Sequence, residues 1–234
     1  MSVPAALATS ARKRVGEIAA GLIRPLQSGY LRDDSHSVGA RARLSRGAGK
    51  TFAQVPDLLG LVDTSDLYGN AAAGGPALRE AELSAAEDAV HTVLTLWALH
   101  QQSRGTGMHR SDGARGSRTG LGAAVRSLMA PGEIDETILK RLVRAGNAPD
   151  AESLAVRLRE IVLLLREAEV PLDYGLLAGQ LFLWQQPGGR DLVRREWGRS
   201  FQSARASQND ETTEHDAQPR SGDNAVATTD KDAS

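Results

Sequence analysis

Cysteine is absent from the 234 residues, so disulfides are excluded and thiolate zinc sites go with them. Aromatic residues are scarce, at 4% of the chain. That scarcity, in a chain rich in Ala, Leu and Arg, favours helix over sheet. No run alternates like a strand, and no apolar run is long enough to span a bilayer. After Arg12-Lys13-Arg14 the apolar stretch is interrupted by Glu17, and Ile18 to Ile23 is far too short for a membrane segment or an export signal. The compartment that fits is the cytoplasm. Also missing are a nucleophile elbow, a paired carboxylate constellation and a dinucleotide-binding fingerprint, which leaves no catalytic constellation in view.

Net charge is -1, but the charge is unevenly spread. From Met1 to Lys50 nine Lys and Arg face three acids, whereas from Thr51 to Val90 the sign reverses. Between His100 and Arg126 five arginines face one acid. After Phe201 seven acids face three bases, so the tail masks a mildly basic remainder.

The periodicity predicts an all-α, irregular multi-helix bundle over residues 1–201 and a disordered acidic tail over 202–234. A first helix is expected from Pro4 to Arg24, with Val15, Ile18, Ala19 and Leu22 at helical spacing and Pro25 as its stop. A polar segment, Ser28 to Ser37, then leads into a short Arg-rich helix from Val38 to Arg46. Phe52 to Arg79 reads as a loop-rich connector with a short helix near Asp57 to Val62 and a break at Gly74-Gly75-Pro76. Ser84-Ala85-Ala86-Glu87 has the form of a capping box, and Val90, Val93, Leu94 and Trp97 follow it as an apolar stripe, predicting a helix from Ala85 to about Gln102.

Beyond a basic loop from Arg104 to Arg118, Leu121 to Met129 reads as a short helix stopped by Pro131. Ile134, Ile138, Leu142 and Val143 mark another, ending at Gly146-Asn147. Asp150 and Asp173 are in position to cap two more, the first burying Leu154, Leu158, Ile161, Val162 and Leu165, the second Leu177, Leu181 and Trp184. A last helix carries Val193, Trp197 and Phe201. Beyond it the only large aliphatic residue is Val226, too little to offset the entropy of ordering.

Three features invite a chemical reading. Gly47-Ala48-Gly49-Lys50-Thr51 ends like a phosphate-binding loop, but Leu44 stands where the motif needs its first glycine, and no strand precedes it. A helix end followed by a phosphate-contacting lysine is the simpler account. His91, His100 and His109 recur every nine residues, two and a half helical turns, so His91 and His100 point to opposite sides of one helix and share no metal. His100, with Gln101 and Gln102, is better suited to bonding the neighbouring loop. The three tryptophans fall on apolar stripes and belong in the core rather than on a base-stacking surface. The arginines remain. Arg41, Arg43, Arg46, Arg104, Arg110, Arg115 and Arg118 have few acids nearby in sequence, and guanidinium groups without exposed aromatics suit phosphates rather than bases.

Several blocks then coincide in order and spacing: Trp97-Ala98-Leu99-His100-Gln101-Gln102-Ser103, Met108-His109-Arg110, Leu121 to Arg126, Leu172-Asp173-Tyr174, Leu183-Trp184-Gln185, and Val193 to Phe201. Across about Arg41 to Phe201 the chain resembles the CasB family, the small subunits of the type I-E CRISPR surveillance complex Cascade. The resemblance implies an all-helical subunit without enzymatic activity or cofactor, present as a pair of copies among the subunits of a complex that carries CRISPR RNA. It also implies a basic surface that steadies the R-loop, the displaced DNA strand included, while guide pairing supplies sequence recognition. The Gly-rich basic loop and the acidic tail depart from the family pattern. The positions expected to meet nucleic acid are chosen from local charge: Arg41, Arg43, Arg46, Lys50, Arg110, Arg126, Arg141 and Arg144. The rival readings are a free-standing helical nucleic-acid binder and a phosphate-handling enzyme using Lys50.

Overall fold

The computed structural model describes residues 5–55, 58, 60–61, 63–68, 78–111 and 120–216. Within them are eight α-helices: α1 (Ala5–Leu31), α2 (Ser35–Leu44), α3 (Glu80–Gln101), α4 (Leu121–Arg126), α5 (Glu136–Gly146), α6 (Ala151–Glu167), α7 (Tyr174–Trp184) and α8 (Gly189–Asp216). Three single turns of 3-10 helix, Ser45–Gly47, Phe52–Gln54 and Ser65–Leu67, join the set. No strand occurs among the described residues; the one extended pairing is an isolated parallel bridge between His109 and Leu172. The fold is all-α, an irregular multi-helix bundle.

α3 is the axis of the core. Val93, Leu96, Trp97 and Ala98 are wholly or almost wholly buried, and α3 packs against α1, α2, α6 and α7. A helix surrounded on all sides is buried around its whole circumference, and α3 from Val90 onward is mostly apolar, with His91, Thr95, His100 and Gln101 as its buried polar residues. Trp97, Trp184 and Trp197 all lie in the core.

Close approach of backbones sets two of the contacts. A Cβ on Gly16 would stand 2.6 Å from the Gly175 carbonyl oxygen, so α1 lies almost in touch with α7. A Cβ on Gly122 would stand 2.0 Å from the Trp197 carbonyl oxygen, which makes glycine the residue that lets α4 seat on α8.

The aspartates expected as caps act as caps: Asp150 accepts from Ser153 N–H at 2.7 Å and Asp173 from Leu176 N–H at 2.9 Å. Several helix boundaries differ from those expected. α1 does not stop at Pro25 but continues to Leu31. The carbonyl of Gly21, whose partner N–H the proline removes, belongs to an exposed residue that water can reach. The helix beyond is held from outside by Gln27 and Tyr30, whose side chains bond α3 and the segment that follows it. α2 begins at Ser35, three residues before the expected start, because Asp34 caps it by accepting from Ser37 N–H at 2.9 Å.

Ser84 lies inside α3 and caps nothing; the helix begins at Glu80, where the Glu82 carboxylate accepts the Arg79 backbone N–H at 3.0 Å. Val143 is 51% exposed, since α5 turns it away from α6. α8 continues past Phe201 to Asp216. The helix expected at Asp57–Val62 lies partly outside the described residues, and Gly74–Pro76, Arg115, Arg118 and residues 217–234 lie wholly outside them.

Candidate nucleic-acid interface

The C-terminal end of α3 organises the surface beyond it through two glutamines. Gln101, fully buried, donates from Nε2 to the carbonyls of Arg104 (3.1 Å) and Thr106 (2.8 Å) and accepts the Met108 N–H at 2.9 Å, so one side chain fixes the base of the basic loop. Gln27 of α1 accepts from the His109 N–H at 2.7 Å and from Trp97 Nε1–H at 3.2 Å, and donates to the His109 carbonyl at 3.0 Å. Arg110, next in the chain, donates its backbone N–H to Leu172 at 3.3 Å. Its exposed side chain thus stands on a backbone fixed from both sides.

One turn along α1 from Gln27, the Tyr30 hydroxyl accepts the Ser103 N–H at 3.0 Å, and the Arg41 guanidinium lies 5.5 Å from the centre of the Tyr30 ring. Arg41 and Arg110 therefore flank the same stretch of α1. Arg24, exposed and one turn before Gln27, joins them; its charge contributes to lowering the His109 pKa, below the larger effect of burial. Neither Arg24 nor Arg110 makes an ion pair among the described residues. Arg104 is committed elsewhere, to Glu169 at 2.6 Å.

A second group gathers where α2 ends. Arg43, Arg46 and Lys50 are exposed, and the turn between the last two passes through Gly49 at φ +83°, packed on Arg159 of α6. Arg159, also exposed, extends this group. The phosphate-loop resemblance ends there: the glycines close a 3-10 turn after a helix, with no strand before them. Arg141 and Arg144 form a third group on α5. Arg141 pairs with Glu160 at 3.4 Å, whereas Arg144 is exposed, with its backbone carbonyl accepting from Arg157.

Arg126 does not belong to any of these surfaces. Its accessible area is 0%, and both terminal nitrogens donate to the Ala130 carbonyl, at 3.1 and 3.0 Å. Burial, with a smaller contribution from the charge of Arg205, lowers its pKa. A cation at the end of a short helix looks exposed in sequence; here it folds back to close the turn that carries Pro131.

Each of the three recurring histidines has a contact of its own within the fold. His91 sits edge-on to Phe52, with ring centres 5.5 Å apart, while His100 Nδ1 lies 2.9 Å from the Tyr174 hydroxyl. His109 Nδ1 accepts the Tyr174 N–H at 3.3 Å. No group of three metal-ligating side chains occurs among the described residues, and none of the described helices is long and apolar enough to cross a membrane.

Arg24 and Arg159 were not among the positions expected from sequence. No local pattern distinguishes either; each gains meaning only from an element far away in the chain, the 109–110 segment for Arg24 and the Gly49 turn for Arg159.

Residues 40–201 match the family described as CRISPR-associated protein Cse2. Among solved structures, the chain is 45% identical to CasB from Thermobifida fusca, with a TM-score of 0.70 over 80% of this chain and 97% of that one. It shares its fold with M. ruber CasB (23% identity, TM-score 0.52, 75% of this chain and 89% of that one). A chain in a structure described as a CRISPR RNA-guided surveillance complex also shares the fold (20% identity, TM-score 0.59, 85% and 99%). No curated protein sequence matches.

Proposed function

Because this chain belongs to the Cse2 (CasB) family, we propose that it is a non-catalytic small subunit of a CRISPR RNA-guided surveillance complex, in which it holds target DNA through its phosphates and so prolongs the R-loop. The observation that carries this reading is the surface at the end of α1 and α3, where Arg24 and Arg110 stand exposed on rigid backbone without acidic partners among the described residues and Arg41 is stacked on Tyr30 beside them. The similarity to a chain of a surveillance complex supports assembly with other subunits around CRISPR RNA, and pairing of two copies follows from the family resemblance.

The energetics suit a subunit that does no chemistry. The guide–target heteroduplex is about as stable as the DNA duplex it replaces, so a few phosphate contacts can tip the exchange. An arginine held by a bonded loop also gives up less freedom on meeting a phosphate than one on a free segment. Arg43, Arg46, Lys50 and Arg144 offer further contacts, while Arg141 must first leave Glu160. Arg126 is no part of the proposal.

If about five cations each neutralise one phosphate, the affinity of the isolated chain for single-stranded DNA should fall with a log–log salt slope of about -3.5 and show little dependence on base sequence. Titrations of a labelled oligonucleotide at several salt concentrations measure it. A flat salt dependence would sink the electrostatic mechanism. A complex that forms and functions without this chain, while the chain alone binds DNA, would favour a free-standing binder instead.

A further inference from the structure

Two findings about α8 bear on the same surface. The family match ends at residue 201, so the acidic C-terminal part lies beyond the matched region. α8 also carries the chain toward the Arg24 end of the molecule. Gly179 of α7 meets Arg12 and Gly175 meets Gly16, so α1 runs antiparallel to α7. Leu183 meets Gly189, and Gln180 bonds Glu196 and Trp197, so α8 runs antiparallel to α7 as well. α1 and α8 therefore run in the same direction.

They are tied level with one another by Arg12, whose two terminal nitrogens each bond a Glu196 carboxylate oxygen at 2.6 Å. Twelve residues on, α1 has risen about 18 Å to Arg24, and α8 has risen as far by Gln208. The acidic residues begin two positions later, at Asp210. From there to the end seven acids face two bases. An extended chain of the 18 residues after Asp216 has a reach of about 60 Å.

We propose that the acidic segment from Asp210 to Ser234 lies against the Arg24 and Arg110 surface when no nucleic acid is bound, and that phosphates displace it. The inference rests on the reading of that surface as a phosphate-binding one. The segment then acts as a tethered competitor: weakly held phosphates fail to dislodge it, while a strand that engages several groups of cations at once succeeds. Its effect is largest at low salt and is screened as salt rises.

The absence of cysteine makes the test direct, because Ser234→Cys gives a single site for a nitroxide label on the full chain. We expect the label to broaden the amide signals of Arg24 and Arg110, and an added thymidine oligonucleotide or about 0.5 M salt to restore them. Arg24→Gln with Arg110→Gln should abolish the broadening. In parallel, converting the seven acids to their amides in the full chain should tighten oligonucleotide binding about tenfold at low salt, with the difference closing as salt rises.

No broadening at Arg24 and Arg110, or broadening confined to α5, would overturn the proposal even if DNA binding is strong. Unchanged affinity after neutralisation would overturn the competition. Broadening that salt reverses, in a chain that binds no DNA at any salt concentration, would uphold the contact and instead refute the phosphate-binding reading.

Discussion

Reversing the charge at Arg126 should strongly destabilise the protein, whereas the same reversal at Arg110 should leave its stability intact. Arg126→Glu places a carboxylate in a site with no accessible surface, facing the Ala130 carbonyl oxygen that the guanidinium had satisfied twice. An unpaired buried charge costs several kcal/mol, a large part of the roughly 5–15 kcal/mol that holds a domain together. The melting temperature should drop by about 10 °C or more, and the helical signal should be lost well below the wild-type midpoint. Arg126→Met keeps most of the packing and gives up the hydrogen bonds, for a loss of about 1–2 kcal/mol. Arg110→Glu changes an exposed side chain whose backbone anchors are untouched and should melt within a degree or two of wild type. Thermal unfolding followed by circular dichroism separates these cases. A stable Arg126→Glu protein would put that arginine back on the surface and among the candidate contacts.

Mild acid should destabilise the fold through its buried imidazoles. His100 is fully buried, and burial pushes its pKa down to about 4, with the charges of Arg104 and Arg166 adding to the shift and the carbonyls of Leu165 and Val170 opposing it. His91 and His109 are lowered as well, again chiefly by burial. In the unfolded chain an imidazole takes up its proton near pH 6.5, while His100 in the fold does not until about pH 4.

Stability is thus complete above pH 6.5 and is lost as pH falls toward 4. The loss from His100 alone is about 2 kcal/mol at pH 5 and about 3 kcal/mol at pH 4. Urea midpoints measured between pH 7 and 5 should fall accordingly, and His100→Gln should flatten the slope while lowering stability at pH 7 through the lost Tyr174 bond. A midpoint constant over that range, or the same slope in His100→Gln, would show that the imidazole is not held neutral.

These two expectations mark where sequence was a good guide and where it was not. Helix identity was legible wherever it depended on neighbours in the chain. The stripe through Val90, Val93, Leu94 and Trp97, and the caps at Asp150 and Asp173, are local devices that fold as they read. Boundaries set from outside were not legible. Pro25 reads as a stop, but Gln27 and Tyr30 hold the helix beyond it through bonds to residues about 70 to 80 positions away.

The site divides in the same way. That Arg110 would stand on a loop fixed by the end of α3 follows from the polar residues after Trp97. That Arg126 is consumed by a carbonyl four residues on, and Arg104 by Glu169, depends on how the chain closes after those segments. A count of nearby acids in sequence sees neither. Arg24 and Arg159 were overlooked for the converse reason, since each is an ordinary helix-surface residue until a distant loop is laid beside it.

The central claim is that this chain prolongs the R-loop by holding phosphates at the Arg24, Arg41 and Arg110 surface. It is tested most directly by reconstituting the surveillance complex with wild-type chain, with Arg24→Glu/Arg110→Glu chain, and without the chain, and measuring R-loop lifetime on one target. The account predicts the longest lifetime with wild type, and a lifetime close to that of the complex lacking the chain when the doubly reversed chain is incorporated at normal occupancy. Equal lifetimes for all three, with the subunit present in the first two, would contradict it.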